Sequence, residues 1–162
     1  MAHLIWADSD KNVEDSAGII KTFATKNKIK LHFYNDTPTC IQYFKDNPEA
    51  NVKVIITSLF GSERRKKLGH PNCFQMLDIL KKYWTRSYSP FLVMMTSSAD
   101  EQQCKDFGFN LIVYHDREKM QKIVIDKLKN DTGAYYNRLW REPSLLPCLQ
   151  LKNLAEDFFN TF

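Results

Sequence analysis

Glycine and proline are scarce in this 162-residue chain, at five and six residues, which excludes a collagenous repeat or a long low-complexity stretch. No apolar run exceeds about six residues, against the roughly 20 needed to span a bilayer, so no membrane contact is expected. The opening Met1-Ala2-His3-Leu4-Ile5-Trp6-Ala7-Asp8 lacks the basic region and apolar stretch of a signal peptide. No CxxC pair occurs among Cys40, Cys73, Cys104 and Cys148, which argues against a zinc site built on cysteine. These widely spaced thiols read as reduced and mostly buried, in a cytoplasmic protein. GxxxxGKS/T, GxGxxG, HExxH and the nucleophile elbow are all missing. Neither sign of charge dominates: 23 basic against 19 acidic residues leave only +4, which permits an anionic partner without demanding one.

What is present is core material and a regular alternation. Hydrophobic residues make up 43% and aromatics 13%. Leu4-Ile5-Trp6-Ala7 predicts a strand, stopped by Asp8-Ser9-Asp10. Val13, Ala17, Ile20 and Phe23 then recur at helical spacing, with Asn12 or Asp10 available as cap. Ile29 to Tyr34 alternates apolar residues with Lys and His, a strand with one face near water. Thr37 is a candidate cap for the next helix, with Pro38 at its first position. Val52, Val54, Ile55 and Ile56 form a third strand, apolar on both faces and so central. After a polar loop, Cys73, Leu77, Leu80 and Trp84 mark a helix. Phe91 to Met95 is a fourth buried strand. A short helix over 101–107 leads to Leu111 to Tyr114, and Met120, Ile123, Val124 and Leu128 mark the last helix.

Five strands alternating with five helices imply an α/β domain over 1–130, with a parallel sheet covered on both faces. Function in such sheets gathers at the carboxyl ends of the strands. Here those ends carry Asp8 and Asp10, Asp36, Thr57 and Ser58, Thr96 and Ser97, and His115. Residues 131–162 form an expected helical extension. Trp140, Leu151 and Phe158 in it are apolar anchors that would pack on the domain, bind a partner or support a homodimer.

The five strand ends together resemble the receiver domain of two-component response regulators, over about residues 3–130. The first strand followed by Asp8-Ser9-Asp10 is similar to the family's acidic pair. Ile55-Ile56-Thr57-Ser58-Leu59 is similar to the third strand, which in the family ends in the phosphoacceptor aspartate. Met94-Met95-Thr96-Ser97-Ser98 carries the switch hydroxyl at Thr96. Tyr114-His115-Asp116 lies where the family has Lys-Pro. The resemblance implies a flavodoxin-like (βα)5 fold, doubly wound, with strand order 2-1-3-4-5.

The departures decide the chemistry. The phosphoacceptor position holds Ser58, the second acidic position Ser9, and the lysine position His115. No Asp lies between Asn51 and Asp78, so the missing phosphoacceptor does not depend on register. Aspartyl phosphorylation needs a carboxylate nucleophile and a Mg²⁺ held by neighbouring carboxylates. Asp8 and Asp10 alone would hold Mg²⁺ mostly through its waters, and weakly. The expectation is a pseudo-receiver that is not phosphorylated, needs no cofactor and acts through protein contacts. The resemblance places those contacts on the face of the fourth helix, fifth strand and fifth helix, which includes Tyr114.

The loop over 61–71 adds Arg64, Arg65, Lys66 and Lys67 beside the same end of the sheet, a candidate anion site. It supports the alternative, an enzyme binding a nucleotide or phosphate in the strand-end crevice. That hydrolase or transferase would be TIR-like by analogy of fold alone. No aromatic interleaves the basic run, which disfavours nucleic acid.

Overall fold

A computed structural model describes residues 1–58, 67–96 and 101–130 of the chain. Five parallel strands are ordered 2-1-3-4-5. They are β1 (Ala2–Ala7), β2 (Lys30–Tyr34), β3 (Asn51–Thr57), β4 (Phe91–Thr96) and β5 (Leu111–Tyr114). The helices are α1 (Gly18–Asn27), α2 (Thr37–Asp46), α3 (Cys73–Tyr83), α4 (Glu101–Phe107) and α5 (Arg117–Lys129). The flavodoxin-like (βα)5 expectation is met in both element order and strand order.

Strand alternation divides the core into two layers. Ile5, Ala7, Val52, Ile55, Leu92 and Met94 point to one side, where Cys40, Phe44, Phe74, Leu77 and Phe107 of α2, α3 and α4 cover them. Leu4, Trp6, Val54, Ile56, Val93 and Met95 point to the other, under Ile20 of α1 and Met120 and Val124 of α5. Every residue of β4 is buried, and so are the last four of β3, as central parallel strands require. No helix among the described residues is long and apolar enough to cross a membrane.

Helix starts differ in detail from the sequence reading. The cap of α2 is Asp36, whose carboxylate accepts from the Thr39 N–H at 2.7 Å. Thr37 already lies in the helix, and its hydroxyl donates to the Pro71 carbonyl at 2.8 Å. Neither Asn12 nor Asp10 caps α1. A 3₁₀ turn, Val13–Ser16, comes first, and the open N–H of Ile20 donates to Gln121 Oε1 of α5 at 3.1 Å. The Gln121 amide nitrogen donates to the carbonyls of Ser16 and Arg117. A buried glutamine thus satisfies the end of a neighbouring helix, 101 residues away in the chain. Helix α3 closes its own start with a capping box between Asn72 and Gln75.

Candidate functional site

The carboxyl ends of β1 and β3 lie side by side, since Ala7 pairs with Thr57 and the Ser58 N–H donates to the Ala7 carbonyl at 3.0 Å. Ser58 therefore stands next to Asp8. Its Oγ is buried and has no hydrogen-bond partner among the described residues. Thr96 ends β4, buried, opposite Tyr114. The His115 N–H donates to the Thr96 carbonyl at 3.2 Å, and His115 takes a left-handed backbone at φ 54° with its side chain exposed.

Asp8 is only 4% exposed, so its carboxylate must find donors inside the protein. It finds three. Asp8 Oδ1 accepts from the Asp10 N–H at 2.9 Å, while Oδ2 accepts from Trp6 Nε1 at 3.3 Å and from Arg117 Nη2 at 3.4 Å. Arg117 also donates from Nη1 to Asp10 at 3.0 Å and to the Ser16 hydroxyl at 3.1 Å. The Asn35 amide donates to the carbonyl oxygens of both Asp8 and Asp10. The Asp8 N–H in turn donates to the Tyr34 carbonyl at 2.8 Å. One guanidinium thus sits across two carboxylates, and the end of β2 holds the turn from outside.

Asp10 is the outer of the two acids. The Asn12 N–H on its carboxylate, and then the Arg117 guanidinium, hold its carboxyl below the ordinary carboxylate value.

The sequence reading named Asp8, Asp10, Ser58, Thr96 and His115, and β-strand pairing brings their backbones to one end of the sheet. It missed Arg117, Asn35, Ser16 and Trp6. A signal for Arg117 existed. A cation at the first position of a helix opposes the macrodipole, which favours acids there. Such a mismatch marks a side chain held by something other than its own helix. Of the basic loop, Lys67 is exposed, and Arg64, Arg65 and Lys66 lie outside the described residues. So do Ser97, Trp140, Leu151 and Phe158. Tyr114 is described and stands 48% exposed on β5.

The donor set fits a metal poorly. No group of three or more His, Cys, Asp or Glu side chains converges on a metal position among the described residues. A divalent ion on Asp8 and Asp10 would have to displace Arg117 from both. Ser58 offers no carboxylate, and an unassisted serine hydroxyl stays protonated near pH 7. The site as built joins two carboxylates through one guanidinium, with the Ser58 hydroxyl at the neighbouring strand end.

No protein-family model matches this chain, and no curated protein sequence matches it. Solved structures do. A response regulator receiver domain protein from Clostridium thermocellum superposes with a TM-score of 0.58 at 12% identity, covering 80% of this chain and 95% of that one. A two-component response regulator from Clostridium difficile gives 0.57 at 13% identity, covering 80% of this chain and 98% of that one. At these identities the likeness is one of fold. The chain has the fold of response regulator receiver domains, five parallel strands in the order 2-1-3-4-5 between two layers of helices.

Proposed function

We propose that the chain is a phosphorylation-incompetent receiver-like domain that serves signalling as a protein–protein interaction module. The observation that carries this reading is Arg117. Its guanidinium spans Asp8 and Asp10, where a metal-dependent site would need those carboxylates open. Ser58, at the end of the neighbouring strand, supports it with a hydroxyl at the position the resemblance assigns to the phosphoacceptor. A receiver without a phosphoryl group has no covalent signal to read, so its output is carried by its surface and by what that surface binds. The exposed Tyr114 on the β5 edge belongs to the face the resemblance assigns to partners.

The test is incubation with acetyl phosphate and Mg²⁺, followed by intact-mass measurement under conditions that keep acyl phosphates. An unchanged mass is the expected result. A mass gain of one phosphoryl group, mapped to Asp8, Asp10 or Ser58, would overturn the reading.

A further inference from the structure

A second cluster of titratable groups lies at the sheet edge, away from Asp8. His3 on β1 and His32 on β2 point to the same side as Ile5 and Tyr34. The pairing of His3 with Lys30 and of Ile5 with His32 makes the two histidines diagonal neighbours. Their rings meet through His3 Nδ1 and His32 Nε2 at 2.9 Å. The ring centroids are 5.2 Å apart and the planes differ by 20°, which sets the two nitrogens nearly in line. Such a bond needs one N–H and one lone pair, so the pair holds a single proton between its facing nitrogens.

Helix α2 closes over it. Tyr43 Oη lies 3.3 Å from His3 Nδ1, and the Tyr43 ring is 4.5 Å from that of His32. Tyr34 stacks beside His32 at 6.2 Å and 8°, and its ring lies 6.0 Å from that of Tyr43. The face that alternation assigns to water is therefore half covered.

We propose that the His3–His32 pair is an acid-sensitive latch: a second proton breaks the N–H···N bond and frees the strand that positions Asn35 against the Asp8–Asp10 turn. Two facing N–H groups at this distance repel, and neither has a lone pair left to accept. Strand β2 is an edge strand bonded to β1, and the latch ties side chains across that seam. Two residues beyond His32, the Tyr34 carbonyl accepts from the Asp8 N–H, and Asn35 follows. Movement of β2 is thereby passed to the strand-end site.

The surroundings oppose the second proton. Among the described residues, Lys30 on β2, Arg86 beyond α3 and the amino group of Met1 act on the pair, with Tyr34 and Tyr43 packed against it. The charged ones, Lys30, Arg86 and the amino group, are all cations. Burial, followed by the charges of His3 and Lys30, lowers His32 to about 4, and His3 is lowered too, again first by burial. Both lie below the ordinary imidazole value of 6.5, so the latch is closed at neutral pH and opens as pH falls toward the lowered values.

The experiment is an NMR titration of the whole chain from pH 7.5 to 4, following the imidazole nitrogens together with the Asp8 and Asn35 backbone amides. The two histidines are expected to titrate below 6.5, with the Asp8 and Asn35 signals moving in step. His32→Gln should abolish the coupled movement over that range. Lys30→Gln, at an exposed position, should shift the midpoint upward while leaving the fold intact. Ordinary imidazole titration, or Asp8 and Asn35 amides that ignore it, would overturn the latch. So would a coupled movement that persists unchanged in His32→Gln.

Discussion

Arg117 Nη1 lies 3.0 Å from the Asp10 carboxylate, 107 residues away in the chain. The pair ties the first turn of α5 to the turn after β1, and the same guanidinium reaches the nearly buried Asp8. It places a fixed positive charge, delivered by the polypeptide itself, on the carboxylates at the end of the sheet. The nearly buried Asp8 thus has three donors from within the chain, Trp6, Arg117 and the Asp10 N–H.

Arg117→Gln removes both ion pairs and leaves Asp8 with the Trp6 indole and the Asp10 N–H. The expected cost is about 1–2 kcal/mol, because one partner of a mostly buried charge is lost. Urea unfolding measures it. Asp8→Asn in the same background should recover part of the loss, since the orphaned charge is then gone. Unchanged stability in Arg117→Gln would show that the guanidinium carries no weight.

The Asp10 carboxyl titrates below its ordinary value of 3.8, for the reasons of local bonding given above. A depressed folded-state value means that its contribution is present above the unfolded value and is lost as pH falls through the folded one. Arg117→Gln should raise the Asp10 midpoint, yet leave it depressed, because the Asn12 N–H is the larger cause. Carboxyl carbon shifts followed by NMR check both statements. A midpoint at the ordinary value in the parent chain would contradict them.

Cys40, Cys73 and Cys104 are fully buried. Burial, with a smaller push from Asp36, sends the Cys40 thiol up to about 12. Iodoacetamide at pH 8 is therefore expected to spare all three in the folded chain and to modify them in denaturant. Peptide mass mapping reads the outcome. Rapid labelling of Cys40 in native buffer would contradict the packing of α2 on the sheet.

Tyr114 presents a large aromatic surface on β5 at 48% exposure. A photo-crosslinking residue at position 114, introduced in cells, should capture a discrete protein product. The same residue at Lys26 on the exposed part of α1 should not. Equal capture from both positions would remove the β5 face from the proposal.

Much of the fold was legible because its signals are local. The β-branched run Val54-Ile55-Ile56 can only be a covered strand, and the spacing of Met120 and Val124 can only face inward on a helix. The strand ends followed from those elements, and with them Asp8, Ser58 and Thr96. Arg117 carried only a weak signal, a cation at a helix start, which names none of its partners. Its neighbours Asp116, Glu118 and Lys119 look like a solvated helix surface, and its partners are a hundred residues away. The same holds for Gln121, whose task is to satisfy another helix, and for His3 and His32. Their meeting depends on the register of two strands. Local periodicity places the strands, whereas side-chain partners across the sheet require the tertiary arrangement.

The most direct measurement of the central claim is thermal unfolding with and without Mg²⁺ and beryllofluoride, the phosphoryl mimic. A bound ligand at a hundred times its dissociation constant stabilises by about 2.7 kcal/mol, enough to move the midpoint by several degrees. With Arg117 across Asp8 and Asp10 and a hydroxyl at Ser58, the expected result is no shift. A rise of several degrees that requires both Mg²⁺ and beryllofluoride would show a working phosphoryl site and contradict the claim.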